Sequence, residues 1–230
     1  IASVLTGGLL DLRDENGRST GETVFMIAYA VTAKDARQGG LAREMYISAL
    51  IDTANKADME GKKLAFAAGE CTFTSEKFWN KVGWKRAYIK KSSSGEEKEF
   101  EEIPYIQPAL DFNPETGEPA QDAAPVPEHL MIDSFGAASP TKEQIMQICD
   151  AFYKWCIQDT WPRGSFENDQ AFHRQREYVK GFRNNLQRAL ADSGEIIFAD
   201  RKTRLRALEK GTKIHEHTAA DHGSTGQEDF

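Results

Sequence analysis

The uninterrupted apolar run Val24-Phe25-Met26-Ile27-Ala28-Tyr29-Ala30-Val31 is the strongest patterning signal in the chain. A strand with one wet face alternates, so an unbroken run rich in β-branched and aromatic side chains predicts a buried strand. Arg37-Gln38-Gly39-Gly40 then reads as a glycine turn. From Leu41 onward Ala42, Met45, Tyr46, Ala49, Leu50, Thr53, Ala54 and Ala57 recur at helical spacing and mark one face of a long helix. A second strand follows at Lys63-Leu64-Ala65-Phe66-Ala67-Ala68, and a short helix ends in Phe78-Trp79-Asn80-Lys81-Val82-Gly83-Trp84. Upstream, Leu9-Leu10-Asp11-Leu12 predicts a strand running into the turn Asp14-Glu15-Asn16-Gly17, hence a hairpin into the central strand.

The texture changes after Lys90. Ser92-Ser93-Ser94-Gly95 and Glu96-Glu97-Lys98-Glu99 predict a solvated turn, and Pro104, Pro108, Pro114, Pro119, Pro125 and Pro127 forbid a continuous helix. An extended, surface-wrapping insertion over about 92–127 is expected. His129-Leu130-Met131-Ile132-Asp133 reads as one more strand. From Ser139 the pattern is helical: Thr141 and Gln144 have capping-box spacing, and Ile145, Ile148, Cys149, Phe152, Trp155 and Cys156 share a face until Trp161-Pro162 ends it. A second helix is predicted from about Asp169 to Leu190, with Phe172, Val179, Phe182, Leu186 and Leu190 inward and Gly194 as terminator. The chain thus divides into a domain at 1–135, a helical extension at 139–210 and a polar tail at 211–230.

A length of 230 residues and 40% hydrophobic composition support a substantial core, and no apolar run is long enough to span a membrane. A net charge of −7 argues against a generally basic nucleic-acid binder, although Arg183, Arg188 and the run Arg201, Lys202, Arg204 and Arg206 keep a local anionic partner open. The run's simpler account is a solvated helical face. Cys71, Cys149 and Cys156 match no zinc spacing and no disulfide framework, so a cytoplasmic setting is expected. His215, His217 and His222 lie in the polar tail without a rigid scaffold, and no metal site is predicted.

Chemistry enters at the glycine turn. A helix N-terminus offers backbone N–H groups without intrahelical partners together with partial positive charge, Gly39 and Gly40 leave the main chain accessible, and Arg37 can add a charge-assisted bond. The ligand predicted is a phosphate or pyrophosphate. A P-loop is excluded because Leu41-Ala42-Arg43 stands where Gly-Lys-Ser/Thr is required, and the G-x-G-x-x-G of a dinucleotide fold is absent. Arg37, Gly40 and Ala42 instead match R-x-x-G-x-A, and Phe78 to Trp84 match aromatic-aromatic-x-x-hydrophobic-Gly-aromatic. In that order, the two motifs resemble the GNAT superfamily of acetyl-CoA-dependent N-acetyltransferases, over roughly residues 1 to 135.

That resemblance implies an α+β fold, a mixed β-sheet flanked by helices, here with a C-terminal helical extension. It implies acetyl-CoA as co-substrate and an amine as acceptor, attacked directly through a tetrahedral intermediate. Arg37, Gln38, Gly39, Gly40, Leu41 and Ala42 would hold the pyrophosphate, Ala30, Val31 and Thr32 would lie beside the pantetheine arm, and Phe78 and Trp79 would border the cofactor. The family's first strand and following helices, which help to wall the acceptor site, would precede Ile1, and His129–Asp133 would pair with Trp84 to Ile89 and close the sheet. Glu70 is the candidate base, with Glu22 at the other end of the central strand. Tyr29 is the candidate acid, with Tyr46, Tyr88 or unassisted protonation by water as alternatives, because Trp79 stands where many members carry a tyrosine and indole is no proton donor at neutral pH. Cys71 is a nucleophile the usual route does not need. A homodimer is compatible with this reading. The competing reading keeps the fold without catalysis, as a CoA-binding or protein-interaction module.

Overall fold

The carboxylate of Asp14 accepts backbone hydrogens from Asn16 and Arg18 at 2.9 and 2.8 Å, and Gly17 takes the left-handed conformation at φ 75°. That Asx-type turn reverses the chain from β1 (Ser3–Arg13) into the antiparallel β2 (Ser19–Thr32), the hairpin the pattern predicts. The computed structural model describes residues 2–37, 39–72, 74–91 and 99–216. Gln38, the turn at 92–98, His217 and His222 lie outside the described residues.

From β2 the chain passes a 3-10 turn (Lys34–Ala36) into α1 (Leu41–Met59) and returns as β3 (Lys63–Cys71), parallel to β2. Next come α2 (Glu76–Lys81), β4 (Lys85–Lys91) and β5 (Glu99–Glu102). A small separate ribbon joins β6 (Ile106–Gln107) to β7 (Val126–Pro127) ahead of β8 (His129–Asp133). The remainder holds α3 (Lys142–Tyr153), a π-helical turn (Lys154–Gln158), α4 (Asp169–Ala191), β9 (Ile196–Ala199), α5 (Arg201–Glu209) and β10 (Lys213–His215). The described residues make a mixed sheet in the order β1-β2-β3-β8-β4-β5-β10, with β9 also pairing β4, flanked by helices: an α+β fold.

Alternation along the central strands assigns the two faces. Phe25, Ile27, Ala67, Cys71 and Met131 pack with Tyr46 of α1 and with Trp79 and Trp84, whereas Val24, Met26, Phe66, Ala68 and Ile132 meet Ile145, Ile148, Phe152, Val179 and Leu186 from α3 and α4. The C-terminal helices are therefore the second layer of the same core. α3 begins with the predicted capping box, Thr141 and Gln144 exchanging side-chain-to-backbone bonds at 3.1 and 3.2 Å. α4 ends at Ala191 with Asp192 as a right-handed cap, ahead of the Gly194 expected to stop it.

Four sequence expectations need correction. Only the first half of the apolar run is buried: Val24 to Ile27 are inside, but Ala28 to Val31 are exposed, because the sheet partner on one side is lost after Ile27. His129–Asp133 does pair with β4, through Lys85↔Ile132 and Arg86↔Met131, yet it lies inside the sheet against β3 and does not close it. With His129 to Ile132 all buried, an interior position suits the strand better than an edge. The proline-rich segment is no surface wrapping alone, since Ile103, Tyr105, Ala109, Phe112 and Val126 enter the core between its extended stretches. Nor is the basic run of α5 wholly solvated: Arg204 turns inward and pairs with the buried Glu76.

Candidate functional site

The parallel strands β2 and β3 pair from Glu22↔Lys63 to Ile27↔Gly69, with one register shift between Thr23 and Val24, and then part. Beyond that point, among the described residues, β2 pairs with β1 alone, at Tyr29↔Thr6, Ala30↔Leu5, Val31↔Val4 and Thr32↔Ser3, while β3 runs on against β8 at Glu70↔Leu130 and Cys71↔His129. The β1 ladder slips between Thr6 and Gly7, leaving Ala28 as the extra residue of a bulge, which bends a strand and re-aims it. A gap between two parallel strands exposes edge N–H and C=O groups to whatever enters it. Ala30, Val31 and Thr32 line that gap by position, and Tyr29 is 63% exposed beside them.

The same end of β2 leads into α1. Gly40 is the N-cap at φ 82°, a conformation that suits glycine, and the helix start carries no side-chain cap. Apart from its chain neighbours, no heavy atom of the described residues lies within 4 Å of where a Cβ on Gly40 would sit, so the backbone at the helix start is uncrowded, and first-turn N–H groups have no intrahelical partners. Arg37 folds back, its Nε donating to the Thr32 carbonyl at 3.2 Å, which ties the glycine turn to the parted end of β2.

Glu70 stands on the opposite lip, at the end of β3. The Tyr105 hydroxyl donates to its carboxylate at 2.5 Å, and burial pushes the carboxyl up to about 8 despite that bond, with the nearby charge of Glu128 adding to the rise. A carboxyl held near neutrality has the affinity a general base needs. Tyr105 was missed by the sequence reading. Its only trace is an aromatic residue within Ile103-Pro104-Tyr105-Ile106, an apolar island in the proline-rich stretch.

The other candidates are placed differently. Glu22 sits at the far end of β2 and accepts a bond from the Gln144 side chain at 2.9 Å. Tyr46 is buried, accepts a hydrogen bond from the Trp84 indole at 2.9 Å and is pushed up to about 12 by burial. Tyr88 is enclosed with Arg204 and Glu216, burial again raising it. Trp79 is core, stacked on Trp84 with 4.3 Å between centroids, and Phe78 packs edge-on against it. Cys71 is buried and its thiol is raised well above the usual range by burial, which disfavours a thiolate. Among the described residues, no cluster of His, Cys, Asp and Glu is grouped to hold a metal ion, and no helix is long and apolar enough to cross a membrane.

No protein-family model and no curated protein matches the chain. Among solved structures, the chain is similar to an inferred N-acetyltransferase of Lactobacillus plantarum at 15% identity and a TM-score of 0.28, over 57% of this chain and 59% of that one. It is also similar to Naa20 of Chaetomium thermophilum, solved with a bisubstrate analogue, at 15% identity and a TM-score of 0.33, over 69% of this chain and 66% of that one. The chain thus matches less than two thirds of the length of each.

Proposed function

We propose that the chain is an acyl-CoA-dependent N-acyltransferase that moves an acetyl group from acetyl-CoA to a primary amine. The observation that carries this reading is the parting of β2 and β3 after Ile27↔Gly69, with the uncapped start of α1 on one lip and Glu70 on the other. Thioester aminolysis needs alignment, a proton acceptor and donors for the developing oxyanion, and this arrangement supplies a counterpart for each.

In the proposed site, first-turn amides at Leu41 and Ala42, the open backbone of Gly39 and Gly40 and the Arg37 guanidinium grip the pyrophosphate, with Gln38 in the same loop. Edge amides of Ala30, Val31 and Thr32 run beside the pantetheine arm. Phe78 and Trp79 act from behind, as packing under α1. Glu70 takes one proton from the acceptor ammonium, the amine nitrogen attacks the thioester carbon, and the carbon–sulfur bond breaks as the tetrahedral intermediate collapses. As the intermediate collapses the nitrogen sheds its second proton and the leaving thiolate takes one up; the exposed Tyr29 is the candidate donor to the sulfur, and the nitrogen's proton restores its hydroxyl. No acyl-enzyme forms, in keeping with the buried, high-affinity thiol of Cys71.

Calorimetric titration with CoA, paired with thiol release during turnover of primary amines, tests the proposal. One-to-one binding is expected, weakened about 10- to 100-fold by Arg37→Ala through loss of a charge-assisted bond. Absence of CoA binding by the wild-type protein would dispose of the reading. Binding without turnover of any amine would leave the non-catalytic CoA-binding module in its place.

A further inference from the structure

The sheet register brings a second set of residues to the gap, on the face covered by α3 and α4. Gly8 pairs with Met26 and Met26 with Ala68, and Glu70 lies two residues beyond Ala68 on the same face of β3. Above Gly8 sits the indole of Trp155: a Cβ on Gly8 would meet two of its ring atoms at 3.3 and 3.4 Å. Trp155 belongs to the π-helical turn, where the Asp159 amide donates to the Lys154 carbonyl at 2.7 Å. Such a turn carries an extra residue, swinging the side chains that follow it around the helix axis relative to an unbroken α-helix.

The turn is anchored from several sides. Arg176 of α4 donates to the Gln158 carbonyl at 3.1 Å, the Thr160 hydroxyl donates to the Trp155 carbonyl, and Trp155 meets Phe152 edge-on. Trp155, Cys156 and Leu10 are nonetheless only partly buried, as is Glu70. Burial and the nearby charge of Glu70 both raise the Cys156 thiol, so thiol and carboxyl are electrostatic neighbours. An indole and a leucine therefore gather over Gly8, level with the last paired steps of β2 and β3, and the thiol next to that indole in sequence feels the charge of the carboxyl just beyond.

Resting on the acyltransferase reading above, we infer that Trp155 and Cys156 form the acceptor-side wall, so that the C-terminal helical layer selects primary amines carried on an apolar stem. The ammonium is directed to Glu70 while the stem lies against the indole. Trp155 is a specificity-determining residue in this arrangement, and Gly8 is glycine because the ring occupies the space a side chain would take.

The test compares ethylamine with phenethylamine as acceptors for wild-type protein and for Trp155→Ala, Trp155→Phe and Gly8→Ala, alongside CoA affinity by calorimetry. Trp155→Ala is expected to raise KM for phenethylamine about 10-fold, the scale of a lost ring contact. KM for ethylamine and the CoA Kd should stay within about 2-fold, and Trp155→Phe should restore most of the phenethylamine KM. Where Trp155→Ala does not fold, Gly8→Ala carries the test, since its methyl crowds the ring and should raise the phenethylamine KM selectively. Equal changes for both amines, or none for either, would overturn the assignment while leaving the acyltransferase reading intact. If the wild type neither binds CoA nor acetylates either amine, it is that reading which falls, and the wall with it.

Discussion

Tyr105 donates its phenolic hydrogen to Glu70 across 2.5 Å, joining the end of β3 to a residue 35 positions later in the proline-rich segment. The bond favours the ionised carboxyl and so opposes burial, which still leaves Glu70 at about 8. If Glu70 is the base, kcat/KM should rise with pH through an apparent pKa near 8. Glu70→Gln should remove that limb and lower kcat about 10²- to 10⁴-fold, with CoA affinity unchanged. A wild-type profile flat between pH 6 and 9 would count against Glu70 as the base.

Removing the hydroxyl alone separates the two residues. Tyr105→Phe deletes an interaction that lowers the Glu70 carboxyl, so the ascending limb should move to higher pH, and activity at pH 7 should fall while the plateau at high pH is largely kept. A shift to lower pH would contradict the stated role of the bond.

The same group links stability to pH. Its folded-state affinity for protons, about 8, lies above the ordinary value of 4.5, so the folded protein binds a proton that the unfolded chain has released. The resulting stability is fully present below 4.5 and is lost as pH rises through about 8, at up to about 1.4 kcal/mol per pH unit in that window. Glu70→Gln should flatten this contribution. Urea unfolding of both proteins at pH 5, 6.5 and 8 would read it as a difference that narrows with pH if the wild type is the more stable at pH 5, and that reverses at high pH.

Local pattern carried much of this architecture. The spacing of Ala42, Met45 and Tyr46, the capping pair Thr141 and Gln144 and the Asp14 turn each depend on neighbours a few residues apart, and each appears where its chemistry puts it. What escaped depends on distant partners. Nothing near Tyr29 in sequence announces that β3 leaves β2 after Ile27, so the apolar run looked buried throughout. Tyr105 reaches Glu70, Arg204 reaches Glu76 from 128 residues away and Trp155 reaches Gly8 only through the fold. Glu70 itself was found because it ends a strand, while its environment came entirely from elements absent from the motif.

Gly40 offers a conformational test at the proposed pyrophosphate turn. Its φ of 82° costs an L residue roughly 1–2 kcal/mol, and no atom crowds the missing Cβ. Gly40→Ala should therefore destabilise by about 1 kcal/mol through strain alone, and it should also weaken CoA by relaxing the turn that opens the α1 amides. Thermal unfolding with and without saturating CoA checks both parts. A variant as stable as wild type with unaltered CoA affinity would refute the need for glycine there.

The buried ion network beside α2 makes the sharpest stability prediction. Glu76 is 1% exposed and accepts one bond from Arg86 Nη2 at 2.7 Å and another from Arg204, tying β4 to α5. Arg204 also donates to the Tyr88 hydroxyl, which donates to Glu216 at 2.9 Å. The Nε atoms of Arg86 and Arg204 have no hydrogen-bond partner among the described residues, and a further carboxylate near both guanidinium groups is the partly exposed Glu216, 2.9 Å from Arg204 Nη1 and 3.6 Å from Arg86 Nη1. Glu102, 3.7 Å from Arg86, is engaged by His129 at 2.7 Å. Glu76→Ala would then leave two enclosed guanidinium groups short of their shared counter-charge, and removing one partner of a buried pair costs about 3–5 kcal/mol. Lys154→Ala breaks the solvent-exposed pair with Asp159 and should cost no more than about 1 kcal/mol. Urea denaturation of the two variants side by side measures the contrast, and similar small losses for both would mean that the fold does not depend on the Glu76 bridge.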